Sequence, residues 1–385
     1  MKIAYVSAKC FSDVDLSYLS EAQKIMNITY FVPVFGNRLK GAAFDLQIIY
    51  PKYGVFKAID AYPELRKFSR LIDSSRFYVI NSKASHMWNP LNLWLYIKFI
   101  WKLRDFDVIH ITDFPYYYEW FYYLLRKKIV LTVHDPIPHS AAVSNRFIVR
   151  LNRYIGFRLI DNFILLNKAQ KDECIKLYNL YDKKIYESRL GRYDYLKIYK
   201  CDTLNTNEYI LFFGQITSHK GLDYLLPAMV NLHNMFPKTK LILAGKGEYD
   251  FDIMPYKKME YIEFRNRFIP DEELAYLIQN SLFVVCPYKD ATQSGVVMSA
   301  YAFNKPVVAT AVGGLPEMVI DGKLGTIVVP CDVEALSEAI CDLLANPQKI
   351  EKYARNIDTE YNSGEKSWIY IASEMKSIYE QICKK

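Results

Sequence analysis

The chain has 385 residues, which is too long for one ordinary hydrophobic core and fits two domains of about 150–200 residues each. Apolar residues make up 51% of it and charged residues 24%, the profile of a soluble globular protein. No uncharged apolar stretch of about 18 residues occurs, and the start "MKIAYVSAKCF" turns polar at once. The sequence therefore predicts neither a transmembrane helix nor a signal peptide.

The seven cysteines are dispersed and include no CxxC pair. Such a distribution favours reduced thiols in the cytoplasm over disulfides or a zinc site. We therefore expect a cytoplasmic protein that holds no metal.

Charge is distributed unevenly between the two halves of the chain. Residues 1–200 hold 31 Lys and Arg against 18 Asp and Glu, a balance of +13, whereas residues 201–385 hold 18 against 24, a balance of −6. A basic first half suggests an anionic partner such as a membrane surface, a lipid phosphate or an acidic substrate. A solvated face with evenly spread basic residues explains the balance equally well. Nucleic acid is not expected, because no basic run accompanies a recognisable binding motif.

Strand-like and helix-like segments alternate in chain order. The first half contains "KIAYVS", "DVIHIT", "KIVLTVHD" and "DNFILLN", and the second contains "YILFFGQ", "KLILAGKG", "LFVVCPY", "PVVAT" and "GTIVVP". Continuous apolar runs are typical of parallel strands buried on both faces, and their alternation with helices indicates βαβ units. A polar stretch at 199–208 separates the two sets. We predict two Rossmann-like domains, 1–198 and 206–366, followed by an amphipathic helix over 367–385.

Four strands of the second half end in Gly, Ser, Thr or Lys residues, where open parallel sheets bind ligands. Gly214 and then Lys220 follow the first of them, Gly245-Lys246 follow the second, and Gly313-Gly314 follow the fourth. After the third, Thr292-Gln293-Ser294-Gly295 open a helix whose free amides form an anion site. Each signal is weak alone, and Lys220 could be an ordinary surface lysine. Together they predict a phosphate- or nucleotide-binding edge.

Several blocks in this order resemble a known family. They are "FFGQITSHKGLDYLLPA", "LILAGKGE", "NRFIPDEELAYLIQNSLFVVCPY" and "SGVVMSAYAFNKPVVATAVGGLPEMV". Over about 210–330 the chain looks like the nucleotide-sugar-binding half of family 4 retaining glycosyltransferases, and the first half resembles their acceptor domain more loosely. The resemblance implies the α/β GT-B fold, in which two Rossmann-like parallel-sheet domains face a cleft. The terminal helix, with Trp368, resembles the segment that crosses back to the first domain.

The resemblance also implies roles for individual residues. Lys220 matches the lysine that binds the diphosphate, and Arg267 and Phe268 match the region that touches the base. Gln215 stands where the family usually has an arginine, and His219, Arg265 or Arg267 could compensate for that charge. The full donor-binding set is Gly214, Gln215, Gly245, Lys246, Arg267, Phe268, Asp290, Thr292, Gln293, Ser294, Gly295, Val296, Ser299 and Glu317.

One departure from the family lies at the opened helix. The family commonly shows two glutamates eight residues apart, which align here with Ala291 and Ser299. Asp290, Thr292 and Gln293 are candidates for the sugar contact of the first. Three interpretations stay open: a variant that binds its donor through the "TQSG" stretch, a weakened site that takes another nucleotide, or an inactive subunit. Glu317 could contact the sugar or orient its loop, or could simply be a carboxylate at a helix start.

In the first half, His134 follows strand "KIVLTV" and matches the family position that contacts the transferred sugar. We predict His134 and Lys220 as the catalytic pair, with a structural strand-end histidine as the alternative. Asp135 and His139 are candidates on the acceptor side. His110, inside "DVIHIT", is expected to be buried with its hydrogen bonds satisfied.

The acceptor is less defined. Residues 91–104, "LNLWLYIKFIWKLR", set Trp94 and Trp101 at helical spacing with basic residues between them. Such a helix can lie on an anionic membrane or pack on the sheet. The tyrosine-rich segment 114–128 is ambiguous in the same way.

The predicted function is transfer of a sugar from a UDP- or GDP-type nucleotide-sugar to a saccharide or lipid-linked acceptor, with retention of configuration, in surface polysaccharide synthesis. No cofactor and no metal are expected. The protein would lie in the cytoplasm or at the inner face of the membrane, as a peripheral protein. The alternatives are a noncatalytic GT-B subunit that binds a nucleotide-sugar or a partner transferase, and a sugar-nucleotide epimerase, which the "SGVVMSAYAFNKP" block fits poorly.

Overall fold

The computed structural model describes residues 1–35, 41–46, 50–82, 89–112, 128–134, 154–166, 170–201 and 209–384. The chain forms two compact units. Unit 1 comprises Met1–Gly191 and Glu365–Lys385, and unit 2 comprises Arg192–Gly364. Both are α/β units built on a parallel sheet, as the sequence predicted. No helix among the described residues is both long and apolar enough to span a bilayer.

Across the described ranges, the sheet of unit 1 has eight strands in the order β3-β4-β2-β1-β5-β6-β7-β8, and only the β3–β4 pair among them is antiparallel. The central strands are buried on both faces, which explains their continuous apolar runs. The strands are β1 (Lys2–Ser7), β2 (Asn27–Phe35), β3 (Gly54–Lys57), β4 (Phe77–Ser82), β5 (Val108–Thr112), β6 (Lys128–Val133), β7 (Asn162–Leu165) and β8 (Lys184–Glu187).

Among the described residues that precede unit 2, the helices that we label are α1 (Ser12–Ile25), α2 (Ala58–Ala61), α3 (Pro90–Lys102) and α4 (Lys171–Tyr178). Residues 154–159 are also helical. Helix α3 starts at Pro90 because the Asn89 side chain accepts a hydrogen bond from the Leu91 amide, an N-cap. Its buried residues join the core of the sheet.

The sheet of unit 2 has six strands, all paired in parallel, in the order β11-β10-β9-β12-β13-β14. They are β9 (Tyr209–Phe213), β10 (Lys240–Ala244), β11 (Ile262–Arg265), β12 (Val284–Cys286), β13 (Val307–Thr310) and β14 (Gly325–Val328). The strand order reverses direction between β9 and β12, and in open α/β sheets ligands bind at such a switch point.

The helices of unit 2 are α5 (Leu222–His233), α6 (Met254–Lys257), α7 (Asp271–Asn280), α8 (Gly295–Ala302), α9 (Leu315–Val319), α10 (Val333–Ala345) and α11 (Pro347–Asn362). Helix α8 is almost entirely buried, and its N-terminus follows β12 at the switch point. The fold therefore places a buried helix start among the carboxyl ends of the central strands.

The chain then returns to unit 1 as helix α12 (Trp368–Cys383), which packs on α1. The ring centroids of Trp368 and Tyr18 lie 6.1 Å apart, and the hydroxyl oxygens of Tyr18 and Tyr379 lie 3.5 Å apart. Gly191, the last residue of the first segment of unit 1, lies under the Trp368 ring, because a Cβ there would stand 2.6 Å from it.

Unit 2 begins earlier than the predicted domain limit at 198. The Arg192 side chain donates hydrogen bonds to Asn304 and Asn362, and the Tyr193 amide bonds the Met298 carbonyl at 3.1 Å. Residues 192–198 therefore pack with unit 2.

Candidate functional site

The tips of β9 and β10 in unit 2 are in direct backbone contact. A Cβ on Gly245 would lie 1.7 Å from the Gly214 carbonyl oxygen, so only glycine fits there. Gly214 has a φ of +121°, a conformation that side chains rarely allow. Its position also lies against the first turn of α8, because a Cβ on Gly214 would meet Val296 Cγ2 at 3.4 Å. Because neither glycine has a side chain, the backbone at the carboxyl ends of β9 and β10 stays accessible.

A pocket of about 490 Å³ opens beside these tips. It combines backbone groups of two glycine turns with apolar walls, and Phe268 lies at its edge with 51% of its surface exposed. This mixture suits a flat, partly polar ring. The lining residues are Phe213, Gly214, Gln215, Ala244, Gly245, Lys246, Gly247, Phe268, Ile269 and Leu274.

Lys220 ends a short 3-10 turn just before Gly221, whose φ is +68°. Its ammonium nitrogen lies 3.7 Å from the centroid of the Tyr288 ring. Burial lowers the pKa of Lys220, and interaction with the Cys286 thiol partly offsets this. No carboxylate of the described residues forms a salt bridge with it, whereas Lys289 pairs with Asp223 at 2.8 Å. Lys220 therefore carries a half-buried positive charge without a protein counter-charge in the described part of the chain.

The N-terminus of α8 lies in the same neighbourhood. The side chains of Tyr288, Ser294 and Lys220 all interact with the Cys286 thiol, and burial raises the pKa of that thiol to about 12. The Ser294 side chain makes no capping hydrogen bond, and the first turn of α8 holds no acidic residue. Its amides, beginning at Gly295, are therefore oriented to hold an anion beside Lys220.

The loop before α8 is held by the loop after β13. Gly313 has a φ of +51°, and a Cβ there would lie 1.5 Å from the Ala291 carbonyl oxygen. The Gly314 amide donates to the Thr292 carbonyl at 3.0 Å. Thr292 is buried, Gln293 is half-buried, and Asp290 and Glu317 are exposed.

Ser299, which stands where the resemblance places a glutamate, is buried in the second turn of α8. Its hydroxyl donates to the Gly295 carbonyl at 2.8 Å. The hydroxyl proton is thus committed within the helix, so Ser299 can offer a ligand only its lone pairs. Ser299 is therefore a limited substitute for the glutamate that the resemblance places at this position.

The arginines considered as compensation for Gln215 are engaged elsewhere. Arg267 forms a two-point contact with the Glu273 carboxylate at 2.6 and 2.7 Å, and Arg265 binds the same carboxylate at 3.0 Å. These hydrogen bonds, those from Arg267 foremost, lower the pKa of Glu273. His219 lies 3.1 Å from the Thr217 hydroxyl. Gln215 itself is exposed at the rim of the pocket.

In unit 1, His134 follows β6 and is 8% exposed. Its ring stacks on Phe11, with centroids 4.0 Å apart and planes 7° apart. It lines a small cavity together with Thr132, Arg189 and Trp368. Asp135 and His139 lie outside the described residues, as does segment 113–127.

His110 is buried with both ring nitrogens engaged, as predicted. Nδ1 lies 2.5 Å from the Tyr379 hydroxyl and Nε2 lies 2.7 Å from the Thr132 hydroxyl. Burial lowers its pKa to about 3, so the ring is neutral. His110 is a structural residue.

A buried carboxyl group lies nearby at Asp15. It accepts hydrogen bonds from the hydroxyls of Tyr5 and Tyr30, at 2.8 and 2.9 Å. Burial raises its pKa to about 7, although hydrogen bonds from Ser7, Tyr5 and Tyr30 act in the opposite direction. Asp15 carries no signal in the sequence, because only the fold brings the hydroxyls of Tyr5 and Tyr30 onto it.

Two further contacts at the site were also missed. The sequence shows Tyr288 only as an aromatic after a strand, and nothing in it places that ring under Lys220. The pairing of Glu273 with Arg267 had a weak signal, since the three acidic residues that open α7 stand four to six residues after the arginine.

Two family comparisons match separate parts of the chain. Residues 207–346 match the family described as "Glycosyl transferases group 1", and residues 35–186 match "Glycosyltransferase Family 4". Together with the two-unit fold, these matches support a glycosyltransferase of family 4 with the GT-B fold.

Individual relatives are distant. The chain is 34% identical over 154 residues to a GDP-mannose-dependent α-(1-6)-phosphatidylinositol monomannoside mannosyltransferase of Mycolicibacterium smegmatis, which covers 36% of this chain and 39% of that protein. It is 27% identical over 284 residues to an uncharacterized glycosyltransferase of Methanocaldococcus jannaschii, covering 67% and 71%. The chain thus spans well under half of the mannosyltransferase.

Solved structures share the fold over nearly the whole chain. HepE of Anabaena in complex with UDP has a TM-score of 0.67 at 16% identity and covers 99% of this chain and all of its own. Sucrose-phosphate synthase of Thermosynechococcus elongatus has 0.65 at 18%, covering 99% of both chains. The starch synthase IV catalytic domain of Arabidopsis thaliana, bound to ADP and acarbose, has 0.66 at 11%, covering both chains fully.

Proposed function

We propose that the protein is a retaining glycosyltransferase that moves a hexosyl group from a nucleoside diphosphate-sugar to a saccharide or lipid-linked acceptor in surface polysaccharide synthesis. The observation that carries this proposal is the half-buried ammonium group of Lys220. It lies over Tyr288 without a carboxylate partner among the described residues, beside the uncapped start of α8. A diphosphate supplies the negative charge that this arrangement lacks.

The same geometry suggests where the nucleotide binds. The base occupies the 490 Å³ pocket against Phe268 and the backbone at Gly245-Lys246. The diphosphate lies between Lys220 and the amides of Gly295 and Val296, where the helix dipole favours negative charge. Gln215 donates an uncharged hydrogen bond at the pocket rim, and a ribose hydroxyl can donate to Ser299.

In the reaction, the bond between the anomeric carbon and the diphosphate oxygen breaks, and the acceptor hydroxyl oxygen bonds to that carbon from the same face. The hydroxyl proton passes to the departing diphosphate oxygen. Negative charge grows on the leaving diphosphate. Lys220 and the α8 amides are fixed in place before the reaction, and such preorganised groups stabilise developing charge most effectively. His134 is proposed to contact the transferred sugar, as are Asp290, Thr292, Gln293 and Glu317.

A calorimetric titration with UDP, GDP and ADP tests the nucleotide site and identifies the base. The tightest of the three should also raise the melting temperature of unit 2, because a ligand that binds only the folded state stabilises it. Phe268→Ala should weaken binding of that nucleotide severalfold while leaving the melting temperature of the free protein unchanged. Met254→Ala removes a similarly exposed apolar side chain away from the pocket and should change neither. No uptake of any of the three would contradict the proposal.

Turnover is tested separately by release of nucleoside diphosphate from UDP-, GDP- and ADP-sugars with saccharide and lipid-linked acceptors.

A second candidate function is a noncatalytic subunit that binds a nucleotide-sugar. One observation favours it: Ser299 stands where the family resemblance expects a carboxylate, and its hydroxyl donates to the Gly295 carbonyl within α8. Tight nucleotide binding without turnover on any acceptor, together with a co-purifying transferase, would support this second function.

A further inference from the structure

Helix α3 of unit 1 has an apolar face that is exposed in the described part of the chain. Five residues form this outer face of α3, and they expose between 38% and 66% of their surface: Leu91, Leu93, Trp94, Ile97 and Trp101. Trp101 is the most exposed large apolar residue on the helix. Isolated exposed apolar residues are ordinary, but five on one helix form a contiguous patch that indicates a binding surface.

The helix already has a separate face for its own core. Leu95, Tyr96, Phe99 and Ile100 are buried and belong to the core cluster of unit 1. Leu93, Ile97 and Trp101 follow one another at spacings of four, so they form a stripe on the opposite side. A helix that only packed on the sheet would carry polar residues there. The outer face of α3 is therefore not explained by the fold of unit 1.

Three cations border the outer face and lie against aromatic rings. Lys98 Nζ lies 5.1 Å from the Trp94 ring centroid, and the Arg104 guanidinium carbon lies 3.6 Å from that of Trp101. Lys102 Nζ lies 4.9 Å from the Tyr78 ring. Within the described ranges, none of the three cations forms a salt bridge with a carboxylate. Their charges are available to an anionic partner.

We propose that the outer face of α3 docks the protein onto an anionic lipid surface. Tryptophan rings prefer the headgroup region of a bilayer, and Leu and Ile side chains at the same level enter the acyl boundary. Lysine and arginine beside them contact lipid phosphates, and the positive first half of the chain adds a longer-range attraction. The helix lies in the membrane plane and does not cross it. This inference does not depend on the nucleotide site.

A second copy of this chain is a poorer occupant. A twofold contact through this face would bring Lys98, Lys102 and Arg104 towards their own equivalents, and like charges across an interface are repelled. A lipid surface that carries negative headgroups complements all three.

The test is co-sedimentation of the full chain with vesicles of phosphatidylcholine alone and of phosphatidylcholine mixed with phosphatidylglycerol. We expect binding to the mixed vesicles that weakens with salt, and little binding to the neutral ones. Trp94→Gln combined with Trp101→Gln should abolish binding. Lys98→Gln combined with Lys102→Gln should weaken it roughly fivefold for each charge removed. Leu177→Gln combined with Tyr181→Gln, equally exposed on unit 1, should bind like the unaltered protein.

Each variant is first checked for an unchanged melting temperature and unchanged nucleotide binding, so that a failure of the fold is distinguished from a loss of docking. Binding of the Trp94/Trp101 variant equal to that of the unaltered protein would overturn the proposal. So would a self-associated species in light scattering that the same two substitutions convert to a monomer, because the face would then bind a second copy.

Discussion

The ammonium nitrogen of Lys220 lies 3.7 Å from the centroid of the fully buried Tyr288 ring. The negative face of the ring attracts the cation without neutralising it. Burial meanwhile lowers the pKa of Lys220, because the charged form loses water and gains no carboxylate from the described residues. The pair therefore positions a positive charge that, in the function proposed above, an anionic ligand neutralises.

Removal of this charge should weaken binding of a nucleoside diphosphate. A hydrogen bond to a charged group contributes about 1.5–3 kcal/mol, so Lys220→Ala should raise the dissociation constant roughly 10- to 100-fold. Isothermal titration calorimetry measures this directly. Lys238→Ala, at an exposed turn of the same unit, is the matched control and should leave the constant unchanged. An unaltered affinity in Lys220→Ala would show that the diphosphate binds elsewhere.

The affinity for a nucleoside diphosphate should also fall at alkaline pH. The pKa of Lys220 lies below its ordinary 10.5, so the bound diphosphate, which needs the ammonium form, loses affinity as pH rises through that lowered pKa. Binding raises the pKa again, because the anion favours the charged form. Proton uptake is therefore expected on binding at alkaline pH, measured by calorimetry in buffers of different ionisation enthalpy. Lys220→Ala should show no uptake, and uptake of equal size in this variant would assign the proton to another group.

The glycine contact between strand tips predicts a difference between two substitutions. Gly245→Ala places Cβ on the Gly214 carbonyl, a backbone atom that cannot move without separating β9 from β10. We expect destabilisation by more than about 2 kcal/mol and loss of nucleotide binding. In Gly295→Ala the new Cβ meets the Tyr193 ring at 3.0 to 3.4 Å, and a side chain can shift, so the change in stability should stay within about 1 kcal/mol. Equal melting temperatures of the two variants would contradict this account.

The buried carboxyl of Asp15 should make the stability of unit 1 depend on pH. Its pKa is about 7 in the folded state against 3.8 for an ordinary aspartate, so the folded state holds the proton more tightly. The stabilisation that Asp15 contributes is then fully present below pH 3.8. It decreases as the pH rises from 3.8 to about 7, with a slope of at most about 1.4 kcal/mol per pH unit, and it is lost above about pH 7.

Asp15→Asn removes this proton and should flatten the dependence, as measured by melting temperatures across the window. Asp182→Asn, an exposed aspartate in a turn of unit 1, should keep it. A dependence that persists unchanged in Asp15→Asn would assign it to another group.

Sequence patterns predicted the strands at the centre of each sheet better than those at the edges. β9, β12 and β13 are buried on both faces and read as continuous apolar runs. Of the four edge strands, β3, β8 and β11 contain half-exposed residues that interrupt that signal, and they were not singled out, whereas the edge strand β14 was. The interior strands β2 and β4 were also missed, and in β2 the residue Pro33 argues against a central strand.

The features of the candidate site differ in the same way in how far the sequence predicts them. Glycines at strand ends are local signals, so Gly214, Gly245 and Gly313 could be singled out from the sequence. The ring under Lys220 and the carboxylate shared by Arg265 and Arg267 depend on side chains that meet only in the fold. For α3, the spacing of Trp94 and Trp101 left two interpretations, and only the structure shows that a different set of residues serves the core.

Helix α12 belongs to unit 1 but follows all of unit 2 in the chain. During synthesis, Tyr18 and His110 therefore leave the ribosome long before Tyr379, whose hydroxyl group is hydrogen-bonded to both of their side chains. Domains usually mature in the order in which they are made. Here we expect the reverse: unit 2 completes its own core first, and unit 1 remains a partly folded intermediate, with the α1 surface available to chaperones, until helix α12 has been made.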